Sequence, residues 1–366
     1  MMLDITPRSW YNNHAAYVIK STCFLTALMP LFSFCRKEKN MKTELNRHET
    51  RYRRTIGNIG LAMCLFLLLF HGASYLLSAL SILFMFLPIT QVWHDVIFDL
   101  LTGICYLASF MLPVLFLRKK MRSDGMNHRP MYAEAKISPY LPIMLFAVIF
   151  LIRSSSYVNA LWNSLFEVSH GPNNWYNEEM TPYQIVMEFI VTCVVPGFCE
   201  EFLFRGAILT NCLPFGRTKA IFISSFLFAL MHANTAQFFY TFVAGILLGI
   251  VYEKTESIWN CVILHMFNNF FSLVDDIILA NFSEYSVWLT MFSEVVISVL
   301  GIISIAFLAN KFFSQKSEID EGFYQKELPA NDSYALCPIG ASRAISLFFT
   351  PAVIVFLAMS LITAFL

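Results

Sequence analysis

The chain has 366 residues, 57% of them hydrophobic and only 14% charged, with 25 basic residues balanced by 25 acidic ones. A soluble domain carries about 25% charged and about 45–50% apolar residues, and disordered chains are poor in apolar side chains, so both classes are excluded and lipid must be part of the solvent. Zero net charge offers no footprint for a nucleic acid.

The first residues, through Tyr17, lack a basic stretch leading into an apolar core, so no cleaved signal peptide is expected. Residues 21–35 are apolar but brief and read as a helix lying at the interface. After a basic segment, stretches of the ~20 apolar residues that cross a ~30 Å hydrocarbon core recur along the chain. They place spans near 61–87, 96–117, 139–160, 183–210, 218–234, 237–252, 258–280, 287–310 and 344–366. The fold class expected is all-α, a polytopic transmembrane bundle of eight or nine spans. Four parts follow: an N-terminal segment with a basic region (1–60), accessory helices (61–180), a core rich in intramembrane polar residues (183–310), and a loop with the final span (311–366).

Lys and Arg accumulate in cytoplasmic loops. The segments 36–54 and 118–136 together hold 14 of the 25 basic residues, whereas 88–95, 161–182, 235–236 and 281–286 hold none. The basic loops are therefore expected in the cytoplasm and the C-terminus outside. The nine cysteines are scattered without a CxxC pair and read as small hydrophobes.

A charge at the bilayer centre costs at least about 2.5–3.5 kcal/mol, so charged groups inside spans point to function. Three segments carry them. The first places Glu200, Glu201 and Arg205 in VVPGFCEEFLFRGAIL, the next ends in FLFALMHAN with His232, and a later one holds His265, Asn268 and Asn269 in VILHMFNNF. At a rise of ~1.5 Å per residue, Glu200 lies roughly 15 Å from the cytoplasmic end of its span, His232 roughly 21 Å, and His265 and Asn269 roughly 10–17 Å. The depths overlap, which predicts one shared site.

Glu201 and Arg205 stand i,i+4 and can pair on one face, while Glu200 points about 100° away. His265 and Asn269 share a face in the same way. Pro196 removes a backbone hydrogen bond just before the glutamates and leaves an acceptor that protein or water must satisfy. Burial disfavours the charged form of a carboxylate, which makes Glu200 a candidate general base for water. A histidine from another helix could orient that water, and a His–Asn pair could donate to an oxyanion. The set suits addition of water to a carbonyl.

These motifs, EExxxR at Glu200–Arg205, FxxxH at Phe228–His232 and HxxxN at His265–Asn269, resemble those of the CPBP intramembrane proteases. That family includes CAAX-prenyl endopeptidases and bacteriocin-processing or immunity-associated proteins, and the likeness covers roughly residues 183–280. It implies a CAAX-endopeptidase-like core and a glutamate-dependent endopeptidase within the membrane. Glu200 would activate water, His232 would help to position it, His265 and Asn269 would stabilise the oxyanion, and Glu201 and Arg205 would support the site. The mechanism implied needs no metal, with zinc on Glu200, His232 and His265 as the alternative. Expected partners are the lipid bilayer and a peptide or membrane-protein substrate, such as a bacteriocin leader, a pheromone precursor or a lipidated tail.

The competing reading is a non-catalytic scaffold that binds another membrane or cell-envelope protein; a transporter would need repeat symmetry, which the sequence lacks. The setting expected is a bacterial plasma membrane. Elsewhere, His71 reads as a packing residue, Arg153 as snorkelling to the headgroups, and Asp275 and Asp276 as solvated.

Overall fold

Every regular element among the described residues is helical, as the apolar runs require. The computed structural model describes residues 47–84, 86, 90–123, 136–165, 179–234, 237–319 and 341–365. The interfacial helix expected over 21–35 lies outside them.

The helices are α1 (Arg47–Phe84), α2 (Gln91–Ser123), α3 (Leu141–Leu165), α4 (residues 182–212), α5 (Arg217–Met231), α6 (Phe238–Thr255), α7 (Ile258–Asn281), α8 (Ser286–Ile319), α9 (Ala341–Phe348) and α10 (Pro351–Phe365). Among the described residues six helical stretches are both long and apolar enough to cross a bilayer, and α9 with α10, bent by 73° at their junction, makes a seventh if the pair is counted as one broken span. The spans expected at 183–210 and 218–234 fall on α4, whose α-helical stretches alternate with π-helical ones at Phe189–Val194 and Phe202–Leu209, and on α5, only 15 residues long. Both read as plain spans by apolarity, because hydropathy does not register a widened turn.

The basic segments are more helical than the sequence suggests. α1 already begins at Arg47, and α2 continues through Arg118, Lys119 and Lys120. The first turns of α1 and the last turns of α2 extend beyond the apolar stretch because long charged side chains are good helix formers.

Two packed halves meet on α4. On one side α1 packs against α2 and α10, and α2 packs against α4. Tyr52, Ile56, Met63, Phe66, Phe110 and Phe356 bury their side chains in this half. On the other side α3 packs against α6 and α8, and α7 lies against α4. The outward face of α8 exposes Trp288, Phe292, Val295, Val299 and Ile302 by half or more. A stripe of that size at helical spacing suits hydrocarbon, not water. The apolar helices and this lipid-compatible surface make the chain an integral membrane protein.

Arg153 departs from the snorkelling expectation. Its guanidinium reaches Asp275 Oδ2 at 2.6 Å and bonds Glu294 through Nε at 2.7 Å, tying α3 to α7 and α8. The apolar flanks of three helices leave each of these charges better served by the others than by headgroups. Asp275 is thus an ion-pair partner as well as a solvated group.

Candidate active site

The chain enters α4 through a reciprocal cap: Thr181 Oγ1 accepts from the Gln184 amide and the Gln184 side chain accepts from the Thr181 amide. One π-helical stretch then gives way to Pro196. Proline has no N–H for the carbonyl four residues back, which is that of Thr192. Asn269 Nδ2, on α7, donates to the Thr192 oxygen at 2.9 Å and so satisfies the acceptor. Gly197 lies against Met266 of α7, where an added Cβ would meet the Met266 side chain at 2.5 Å. Proline and glycine together let α7 approach the glutamates closely.

Glu201 and Arg205 are both fully buried and paired, with Arg205 Nη1 to Glu201 Oε1 at 2.7 Å. A second guanidinium nitrogen donates to the Gly245 carbonyl on α6 at 3.1 Å. The guanidinium also sits 4.8 Å from the ring centre of Phe228. The i,i+4 pairing read from the sequence is present, inside a π-helical turn that still leaves both side chains on one face.

His265 joins the two glutamates. Its Nδ1 lies 2.8 Å from Glu201 Oε1, and because a carboxylate only accepts, Nδ1 carries the proton. Nε2 then points to Glu200 Oε2, 3.8 Å away, too far for a direct hydrogen bond. Glu200 and His265 are 5% and 6% exposed, so this facing pair is nearly closed off. Glu200 Oε2 is a buried oxygen with no hydrogen-bond partner among the described residues.

Phe228 is the point where the three motifs meet. Its ring centre is 5.0 Å from that of His232, 5.9 Å from that of His265 and 5.1 Å from that of Phe204. His232 stands at the end of α5, with Nδ1 2.9 Å from the Phe228 carbonyl. The carbonyl accepts, so Nδ1 donates and Nε2 keeps its lone pair. The structure therefore gathers Glu200, Glu201, Arg205 and His265 by direct contacts and brings His232 in through one shared ring. Asn269 shares the α7 face but spends its resolved hydrogen bonds on Thr192 and Asn268.

Among the described residues no three His, Cys, Asp or Glu side chains gather as metal ligands.

One contact was not legible beforehand. Tyr106, on α2, donates its hydroxyl to Glu200 Oε1 at 2.7 Å across 94 positions of sequence. A tyrosine in an apolar run carries no signal that distinguishes this role from packing.

Residues 182–271 match the family of the type II CAAX prenyl endopeptidase, Rce1-like. No curated protein and no solved structure matches the chain. The matched stretch runs from the first turn of α4 to just beyond Asn269 and contains all three motifs in order. The chain therefore carries an Rce1-like domain, of the type II CAAX prenyl endopeptidase kind, at residues 182–271.

Proposed function

We propose that the chain is a glutamate-dependent intramembrane endopeptidase that hydrolyses a peptide bond in a membrane-associated or hydrophobic substrate. The observation that carries this reading is the buried pair of Glu200 Oε2 and His265 Nε2, facing one another at 3.8 Å inside an Rce1-like domain. A carboxylate oxygen without a hydrogen-bond partner is a ready proton acceptor, and a site this dry strengthens every interaction within it.

In the reaction, Glu200 takes a proton from water as the water oxygen bonds to the scissile carbonyl carbon. His232 Nε2, with its lone pair held free, positions that water from α5. The carbonyl oxygen becomes an oxyanion, held by the second amide hydrogen of Asn269 and by a His265 ring that carries a proton on Nε2 as well as on Nδ1. As the C–N bond breaks, Glu200 returns the proton to the leaving amine. Glu201 and Arg205 hold the His265 ring in place through its Nδ1 and touch no reacting atom.

Substrates of the proposed class are lipidated tails, bacteriocin leaders and pheromone precursors, all of which present an extended peptide beside apolar surface. The setting proposed is a bacterial plasma membrane, and the Lys and Arg asymmetry of the loops supports an orientation with the basic ones in the cytoplasm. Mass spectrometry of new peptide termini in membranes from cells making wild type or Glu200→Gln tests the reading. Termini that appear with wild type and vanish with Glu200→Gln are expected. Identical termini in the two samples would contradict it.

A further inference from the structure

The matched domain does not hold all of the groups that grip Glu200. Its carboxylate is approached from four helices: by Tyr106 on α2, by His265 on α7, and, within electrostatic reach, by Tyr240 on α6 and by Cys199 on α4 itself. Of these only Tyr106 donates a hydrogen bond to it in the structure, and Tyr106 lies 76 residues before the matched segment begins at 182.

The tyrosine is built to stay where it is. Its ring packs 4.8 Å from that of Phe110, which is buried, and 6.2 Å from that of Phe70 on α1. α2 packs against both Val195–Glu201 and the following π-helical stretch, so ring and carboxylate are held by rigid elements. The consequence lies in which oxygen is occupied. Oε1 accepts from Tyr106, and Oε2 is left facing His265 Nε2 without a partner. Without the hydroxyl, a glutamate side chain has other rotamers and either oxygen could turn to the histidine.

We propose that Tyr106 is a positioning residue for Glu200, contributed by the N-terminal helices, which fixes the carboxylate so that Oε2 is the oxygen presented to water. The inference rests on the peptidase reading above. It makes α1 and α2 part of the working unit, so the site is composite and not confined to residues 182–271.

The test uses the full chain in phospholipid vesicles and a synthetic peptide spanning a cleavage site that depends on Glu200. Tyr106→Phe removes the hydroxyl and keeps the ring. A hydrogen bond to a charged group is worth about 1.5–3 kcal/mol, which corresponds to a loss of about 10- to 100-fold in kcat. KM and the thermal unfolding midpoint should stay at their wild-type values. A kcat within twofold of wild type overturns the role, because a ring that only packs is still present. A kcat loss matched by a fall in unfolding midpoint also overturns it, by showing that the hydroxyl is structural. Absence of any Glu200-dependent cleavage overturns the peptidase reading first and this inference with it.

Discussion

His265 gives its Nδ1 proton to the same Glu201 oxygen that accepts from Arg205, at 2.8 and 2.7 Å respectively. One carboxylate thus serves as the anchor for a cation on its own helix and for an imidazole on α7. Removing a partner from a buried ion pair leaves an uncompensated charge, at a cost of about 3–5 kcal/mol. Arg205→Ala should therefore lower stability by that amount in an SDS-titration unfolding experiment. Arg205→Lys should recover little of it, because one ammonium cannot reproduce the planar fork that reaches both Glu201 and the Gly245 carbonyl. Full stability in either variant would contradict the anchoring role.

Two glycines of the core should respond differently to an added methyl. At Gly245 a Cβ would lie 2.9 Å from both Cα and Cβ of Ser225, so backbone must move. At Gly197 the nearest obstruction is the Met266 side chain, which has rotamers to spare. Gly245→Ala should cost about 1–3 kcal/mol, the range for overpacking, and disturb the carbonyl that Arg205 uses. Gly197→Ala should cost less. Comparing the two unfolding midpoints checks the order.

The link between Pro196 and Asn269 predicts non-additive behaviour. Asn269→Ala takes the donor from the Thr192 carbonyl and should cost about 1–3 kcal/mol. In a Pro196→Ala background, the restored backbone N–H can serve that carbonyl, so the same change should cost less. A double-mutant cycle reads the coupling directly. Strict additivity would show that the two residues do not share the acceptor.

Arg153 bridges Asp275 and Glu294, with the three side chains between 18% and 29% exposed. Arg153→Met keeps much of the side-chain volume and leaves two carboxylates without their shared cation. It should destabilise by on the order of 1–3 kcal/mol while leaving kcat unaltered, since Arg153 bonds Asp275 and Glu294 and not Glu200, His232 or His265. Adding Glu294→Gln should recover part of the loss by removing one of the stranded charges.

Much of this was legible in the sequence because charge inside an apolar run is costly and therefore conspicuous. Glu200, Glu201, Arg205, His232 and His265 announce themselves in that way, and the i,i+4 spacing gives the Glu201–Arg205 pair outright. Asn269 was legible as a polar group on the right face, but its use on Thr192 depends on where Pro196 of another helix leaves a bare carbonyl. Tyr106 was hidden because half of its side chain is hydrophobic and its partner is 94 positions away. The bridge made by Arg153 was hidden for a related reason: a cation near a span end can be satisfied by headgroups or by protein, and only the fold decides between them. The π-helical turns of α4 leave no mark on hydropathy, so that segment reads as an ordinary span.

The central claim is that Glu200 is the base of a peptide hydrolase, and the most direct measurement compares single-turnover cleavage by purified wild type and Glu200→Gln in vesicles. Both should fold and unfold alike, since the amide preserves the shape of the side chain and can still accept from Tyr106. The account predicts a rate for Glu200→Gln at least about a thousandfold lower, within the ~10²–10⁴-fold range that a positioned base contributes. Cleavage by Glu200→Gln at a rate near that of wild type would contradict it.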